Sequence, residues 1–327
     1  MSKKYIVFGG AGFIGSHMTE RLLSDGHQVV VVDDLSTGFK EYVPSHRNLK
    51  FLQLDISDLN SLVRNIGHFM NADGVFHFAA CARIQPSIYE PLKTHDVNVT
   101  GTINILELMK FANIKNIVYS ASSSYYGQKA RIPSLETDSS DCQTPYSASK
   151  YMGEIYCSTW SKVYENINSI RLRYFNVWGP RSPTEGQYAP VLSLFYRQAL
   201  DNKPITVVGD GEQRRDFTHV LDVVEANVRA MDYMSRNKNV DETFNIGTGK
   251  NYSIKDIAIM VQSNVLRYKP RLACQIVYVP ERIGEAKLSL ANNEKAKSLL
   301  GWTPKHSIES KLEELLLFYL SQEEKEV

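Results

Sequence analysis

Tyr146 and Lys150 stand four residues apart in Pro145-Tyr146-Ser147-Ala148-Ser149-Lys150. Residues at that spacing are neighbours on one face of a helix, so the ammonium can act on the phenol. A phenol titrates near pH ~10 and is a weak base at neutral pH, and a nearby positive charge stabilises the phenolate and lowers that value. Such a pair moves a proton at neutral pH only with a third polar group to bridge it and a redox partner beside it. Ordinary exposed helix faces carry the same spacing, so the rest of the chain decides its meaning. A bridging hydroxyl is on offer in the serine cluster Ser120-Ala121-Ser122-Ser123-Ser124-Tyr125-Tyr126-Gly127, which follows the apolar run from Asn116 to Tyr119.

The elements that must position these groups begin at the N-terminus. Tyr5-Ile6-Val7-Phe8 is a short apolar strand that runs directly into Gly9-Gly10-Ala11-Gly12-Phe13-Ile14-Gly15. Met18, Leu22 and Leu23 then repeat at helical spacing, and Gly26 suits a helix C-terminus. Gln28-Val29-Val30-Val31-Val32 is a second strand, apolar throughout as in a parallel sheet covered on both faces. Glycines between a strand and a helix permit a tight turn and let backbone N–H groups approach a pyrophosphate. Asp33 lies at the end of the second strand, about 20 residues on, where an acid accepts hydrogen bonds from an adenosine ribose. Asp34 beside it would repel a 2′-phosphate, which favours NAD over NADP as the cofactor.

Alternation of strands and helices continues through Leu49–Leu54, Gly74–Phe78 and Asn116–Ser120, with helical stretches at Leu59–Phe69, His95–Phe111 and Tyr146–Tyr164. The pattern predicts an α/β fold, a doubly wound parallel sheet of the Rossmann type whose ligands sit beyond the carboxyl ends of the strands. Asp55-Ile56 and Ala79-Ala80 follow two of those strands and face the same crevice. From Gly179-Pro180 the chain grows richer in Pro and Gly, which predicts a smaller C-terminal lobe. The expected division is 1–178, with a returning segment at about 218–245, for the cofactor lobe, and 179–217 with 246–327 for the substrate lobe. Ile205–Val208 reads as a strand, Leu221–Asp232 and Ile308–Leu320 as helices, and Phe244–Gly249 as a returning strand and turn.

The 327 residues are 43% apolar and 22% charged, with a formal net charge of +1. A nucleic-acid surface would show a strong basic excess, so no such partner is expected. No run approaches the ~18 to 20 apolar residues that span a bilayer, and the N-terminus lacks a signal-peptide core; a cytoplasmic protein with no membrane partner is expected. Cys81, Cys142, Cys157 and Cys274 show neither zinc-ligand nor disulfide spacing, so no metal site is suggested.

Taken together, these residues resemble the extended short-chain dehydrogenase/reductase family, specifically its nucleotide-sugar epimerases and dehydratases. The likeness runs from Gly9–Gly15 to Leu300-Gly301-Trp302-Thr303-Pro304. It takes in His77-Phe78-Ala79-Ala80, Ser87 with Pro91, Asn98 with Gly101-Thr102, Pro145–Lys150 and Arg173-Tyr174-Phe175-Asn176-Val177-Trp178-Gly179-Pro180-Arg181. The resemblance implies that Tyr146 transfers the proton, Lys150 binds the nicotinamide ribose and lowers the tyrosine pKa, and Ser122 completes the triad. It implies an NAD site of Gly9, Gly12, Phe13, Ile14, Gly15, Asp33, Asp34, Ser36, Thr37, Gly38, Asp55, Ile56, Phe78, Ala79, Ala80, Asn98, Tyr146, Lys150 and Tyr174. For a UDP-sugar substrate it implies Ser87, Ser122, Ser123, Ser124, Asn176, Val207, Arg215, Arg282, Glu285 and Ser289, with Arg215 and Arg282 on the diphosphate.

The 4,6-dehydratases carry an Asp-Glu pair where this chain has Ser123 and Ser124, so the resemblance favours an epimerase, a UDP-hexose 4-epimerase with tightly held NAD. Arg282-Ile283-Gly284-Glu285 has Glu where the family motif has Asp. Ser289 is small at a position where the family uses tyrosine to exclude 2-acetamido sugars, so N-acetylhexosamines are expected to fit. A dehydratase, a decarboxylase, another epimerase or a 4-keto reductase would share the triad, and a non-catalytic NAD-sensing binder would have lost it. The family also implies a homodimer built on two helices per subunit, here His95–Phe111 and Tyr146–Tyr164 with Ile103, Ile105, Leu106, Met109, Met152, Ile155 and Tyr156.

Overall fold

The computed structural model describes residues 2–128, 131–184, 190–280 and 287–323. The chain opens with strand β1 (Lys4–Phe8), helix α1 (Phe13–Ser24), β2 (Gln28–Asp33), β3 (Leu49–Gln53), α2 (Leu59–Arg64), β4 (Gly74–His77), α3 (Ile84–Tyr89), α4 (Pro91–His95), α5 (Gly101–Phe111), β5 (Asn116–Ser122), α6 (Pro145–Val163) and β6 (Asn168–Tyr174). It continues with β7 (Val177–Trp178), α7 (Val191–Leu200), β8 (Ile205–Val208), β9 (Arg214–Asp216), β10 (Thr218–His219), α8 (Val220–Arg236), β11 (Asp241–Ile246), β12 (Asn251–Ser253), α9 (Ile254–Tyr268), β13 (Ile276–Val279) and α10 (Ile308–Glu323).

Seven strands form one sheet in the order β11-β6-β5-β4-β1-β2-β3, every pairing parallel. Val7 pairs with Val31 on one side and Phe76 on the other. Because β2 and β3 extend in one direction from β1 while β4, β5 and β6 extend in the other, the strand order reverses between β1 and β4. Ligands of such sheets bind in the crevice that this reversal opens.

Alternate residues of each strand serve opposite layers, as a period of two requires. Tyr5, Val7, Val31 and Phe76 pack with Met18 and Leu22 of α1 and with Val223, Ala226 and Ala230 of α8. Ile6, Phe8, Val32 and Ile117 pack with Ile105, Leu106 and Met109 of α5 and Cys157 of α6. Each large apolar side chain so buried contributes ~1.5–3 kcal/mol. A third cluster joins Trp178, Phe195, Tyr196, Ile205, Val207, Ile257, Val261, Leu315 and Leu316, gathered from β7, α7, β8, α9 and α10. Trp302 lies outside that cluster and packs on the α1–α8 side of the sheet, where its indole N–H donates to the Asp222 carbonyl at 2.9 Å.

Several expected boundaries shift. The Leu59–Phe69 stretch divides into α2 and a single 3-10 turn, Ile66–His68. His95–Phe111 is a π-helical turn, Asp96–Thr100, that runs into α5. Phe244–Gly249 holds the end of β11, the returning strand, which completes the main sheet beside β6. Ile105, Leu106 and Met109 are fully buried within the chain.

Candidate active site

Helix α6 is fixed at its first turn. Thr144 is the N-cap, Pro145 occupies the first position, and Thr144 and Ser147 exchange a capping box. Tyr146 therefore sits at the positive end of the helix, where an anion is favoured. Its backbone N–H donates to the Ser87 hydroxyl at 3.1 Å, and that hydroxyl donates to the Ile84 carbonyl at 2.5 Å. Ser149 donates to the Tyr146 carbonyl at 2.8 Å and accepts from the Asn98 amide at 2.9 Å. Asn98 also grips Cys81 through both amide groups. The two serines between Tyr146 and Lys150 thus join α6 to its own cap and to the strand end after β4.

Lys150 is buried, and its ammonium donates to the Ser120 carbonyl at 2.8 Å and lies 5.0 Å from the Tyr119 ring centroid. Burial pushes its pKa down to about 8. The lysine is not among the groups that set the phenol pKa in this arrangement. Burial pushes the Tyr146 phenol up, and the interaction with Ser122 only partly opposes it. The ammonium is committed to Ser120, and the phenol oxygen is desolvated although Tyr146 as a residue keeps some exposed surface. Ser122 ends β5, and its Oγ accepts from the Ser124 backbone N–H at 3.2 Å and is 2.9 Å from the Ser124 hydroxyl, while Ser123 and Ser124 begin the turn beyond it.

The glycine turn lies across the same crevice. A Cβ on Gly9 would come within 2.5 Å of the Ala79 backbone nitrogen, and one on Gly15 would overlap the Gly9 carbonyl oxygen. Gly12, the N-cap of α1, lends no side chain, so the N–H groups around Phe13 and Ile14 remain open to an anion. Asp33 is buried, its carboxylate accepting from Ala11 N–H and Leu35 N–H at 2.9 Å each, and burial pushes its pKa up. Gly38 packs against that carboxylate, Asp34 accepts from Ser36, and Thr37 is exposed beside them. Asp55 is exposed and Ile56 buried at the end of β3, while Phe78, Ala79 and Ala80 are half-buried at the end of β4. An uncapped helix N-terminus, a close-packed glycine turn and a fixed acid fit a dinucleotide.

The Tyr174 hydroxyl bonds Ser120 and Asn227, and the Asn98 amide is held by Cys81 and Ser149. On the substrate side Ser87 is buried, and its hydroxyl anchors the Tyr146 backbone. Val207 is fully buried in the core of the smaller lobe. Asn176, at φ +29°, donates to the Asp216 carbonyl at 2.7 Å. Arg215 lies on β9 opposite Tyr252, and Ser289 donates its N–H to the Arg214 carbonyl at 3.0 Å. Arg282 and Glu285 lie outside the described residues.

A buried pair absent from the sequence-based site ties it together. The Glu154 carboxylate of α6 accepts from Arg173 Nε at 3.0 Å and from its terminal nitrogen at 2.7 Å. The same guanidinium donates to the Tyr126 hydroxyl at 3.0 Å and lies 3.4 Å from the Tyr125 ring centroid. It thereby fixes the turn that follows Ser122. The sequence signal was two arginines alternating with apolar residues in Ile170-Arg171-Leu172-Arg173-Tyr174, and the burial of that strand is visible only in the fold.

A doubly wound sheet with a dinucleotide cradle facing a Ser-Tyr-Lys grouping defines a nucleotide-cofactor oxidoreductase scaffold. More specifically, the chain belongs to the NAD-dependent epimerase/dehydratase family, whose pattern matches residues 5–247. It is 35% identical to the UDP-glucose 4-epimerase of Lactobacillus helveticus over 93% of this chain and 92% of that protein. The crystal structure of the Thermotoga maritima UDP-glucose 4-epimerase with UDP-glucose superposes with a TM-score of 0.89 at 33% identity, over 98% of this chain and 99% of that one. A UDP-N-acetylglucosamine 4-epimerase from Methanobrevibacter ruminantium, in complex with UDP-N-acetylmuramic acid, gives 0.87 at 30% identity over 98% and 99%.

Proposed function

We propose that the protein is a UDP-hexose 4-epimerase that interconverts UDP-glucose and UDP-galactose, and their N-acetylated counterparts, through a transient 4-keto sugar. The observation that carries this assignment is the grouping of Ser122, Tyr146 and Lys150 beside the glycine turn, followed by the neutral Ser123 and Ser124 where dehydration would need an acid and a base. NAD, held by Gly9–Gly15, Asp33 and the ends of β3 and β4, supplies a hydride acceptor and donor when bound.

Tyr146 Oη takes the proton from the sugar 4-hydroxyl and returns it after the sugar has turned. Burial pushes the phenol pKa up, and the positive end of α6 and the Ser122 hydroxyl oppose that shift by favouring the phenolate. Ser122 Oγ bridges the phenol and the sugar hydroxyl. Lys150, fixed on Ser120, binds the ribose in this reading. Inversion requires a firm hold on the nucleotide and a loose one on the sugar; Arg215 and Arg282 take the diphosphate, with the guanidinium fork suited to phosphate oxygens. Small Ser289 leaves room for a 2-acetamido group, a role supported by the likeness to a UDP-N-acetylglucosamine 4-epimerase.

The same proposal includes a cofactor lobe of 1–178 with a returning segment at about 218–245, and a substrate lobe of 179–217 with 246–327, supported by the third apolar cluster. It also includes a cytoplasmic homodimer packed through α5 and α6. Met152 and Ile155 support that interface, being 42% and 47% exposed in mid-helix. Among the described residues no helix is long and apolar enough to cross a membrane.

Incubation with the four UDP-sugars, read by NMR of the anomeric protons, should show interconversion of both pairs. Tyr146→Phe should abolish it while bound NAD, measured after release from the protein, is unchanged. Retained activity in that variant would refute the assignment, and interconversion of only the unsubstituted pair would refute the role of Ser289.

A further inference from the structure

Asp216 ends β9 and is fully buried. Its carboxylate receives four donors from two separate stretches of chain. Oδ1 accepts the Thr248 N–H at 2.8 Å and the Thr248 hydroxyl at 2.6 Å. Oδ2 accepts the Gly249 N–H at 3.0 Å and the Ala291 N–H at 3.1 Å. Its backbone carbonyl accepts from Asn176. Burial pushes its pKa up, and these donors oppose the shift. A buried carboxylate with its oxygens so filled is a fixed joint, because moving any donor away leaves a charge unmatched in a poorly solvated place.

What the joint holds is the stretch that carries Ser289. Arg214 exchanges backbone hydrogen bonds with it on one side, its N–H reaching Lys287 at 2.9 Å and its carbonyl accepting from Ser289 at 3.0 Å. On the other side Ser134 donates to Leu290 at 2.8 Å and accepts from Asn292 at 2.9 Å. Gly247 shows how closely the parts fit. A Cβ there would lie 2.8 Å from Asp216 Oδ2 and collide with the Ala291 Cβ, and the Gly247 carbonyl accepts from Asn293 at 2.8 Å.

We propose that Asp216 is a positioning residue for the nucleotide sugar: its carboxylate fixes the Ser289 stretch against the Arg215 strand and so sets the width of the cleft between diphosphate and sugar. This inference rests on the epimerase assignment, in which Arg215 meets the diphosphate and Ser289 the sugar. Asp216→Asn offers one acceptor oxygen in place of two and turns an amide N–H₂ toward backbone donors, which releases either Thr248 or both Gly249 and Ala291. Gly247→Ala keeps the carboxylate and wedges Ala291 outward.

The test compares wild type, Asp216→Asn and Gly247→Ala as full chains, by calorimetric titration with UDP, by bound NAD content and by the kcat and KM for UDP-glucose. Both variants should bind UDP about tenfold more weakly or worse, with KM raised to match, and with NAD content and kcat close to wild type. UDP affinity within about twofold of wild type in both variants, or NAD content and kcat falling in step with it, would overturn the proposal. If Asp216→Asn does not fold, Gly247→Ala decides by the same criteria. A wild type that binds UDP but interconverts no hexose removes the epimerase assignment alone, and the UDP affinities still decide the role of Asp216. A wild type that does not bind UDP overturns both.

Discussion

Replacing Glu154 by Gln should be among the more damaging isosteric changes in the molecule. Both members of the Glu154–Arg173 pair are buried, and the carboxylate matches two guanidinium nitrogens at 3.0 and 2.7 Å. Glutamine keeps the shape, removes the negative charge and turns an amide N–H₂ toward the cation. Removing one partner of a buried pair costs about 3–5 kcal/mol, because the other charge stays desolvated and unmatched. An unfolding entropy of about 2.1 cal/mol/K per residue gives roughly 0.7 kcal/mol/K for a chain of this size, so Tm should fall by about 4–7 °C. Thermal unfolding at pH 7, followed by circular dichroism, measures it. Adding Arg173→Met removes the orphaned cation and should return part of the loss, even though Tyr126 and the Glu136 carbonyl lose a donor. A Tm within about 1 °C of wild type for Glu154→Gln would refute the reasoning.

Two pH effects follow from other buried groups. Lys150 titrates at about 8 in the folded protein against an ordinary 10.5. The folded state therefore carries a penalty of about 3 kcal/mol below pH 8, which fades as pH rises toward 10.5. Without NAD, Lys150→Met should be more stable than wild type at pH 7, and urea titrations should show the gap closing between pH 8 and 10.5; a gap that is constant with pH contradicts this. His219 is held down to about 3, chiefly by burial and then by His306, Lys311 and His17. Only the unfolded chain gains its proton as pH drops through 6.5, so stability should decline toward pH 3 by up to about 1.4 kcal/mol per pH unit. His219→Asn keeps an acceptor for the Leu221 N–H that the ring now caps, and its acid limb should be flatter; an equally steep limb sinks the explanation.

The cofactor half was legible in the sequence because its signals are local. A strand, a glycine turn and a helix occupy consecutive residues, and the apolar runs of β1 and β2 are what a doubly covered parallel sheet demands. The site was legible only as residue types. That Ser87 supports the Tyr146 backbone depends on a contact between residues 59 apart, and nothing near Ser87 distinguishes a helix anchor from a sugar contact. Val207 alternates correctly for a strand, but which face meets the core is set by α7 and α9, which had not been recognised as helices. Tyr146 and Lys150 do lie one helical turn apart on α6, but the burial of both groups and the Ser120 carbonyl that holds the ammonium are products of tertiary packing. The polar residues of β6 hid that strand from an apolar pattern, and its two arginines are answered by acids elsewhere in the chain, Arg173 by Glu154 and Arg171 by Asp241.

The segment from Tyr146 to Lys150 is also a poor candidate for transplantation. Its internal serines each have an outside correspondent, Ser147 in Thr144 and Ser149 in Asn98, and its tyrosine backbone leans on Ser87. A designer who grafted the five residues onto another helix would move the reactive groups and leave behind what aims them. Libraries that randomise Ser147 or Ser149 as if they were spacers would sample broken geometry more often than altered specificity. The smallest unit that can be moved or inherited intact is therefore discontinuous, the pentapeptide together with Thr144, Asn98 and the Ser87 turn, and changes at any one of them constrain the others.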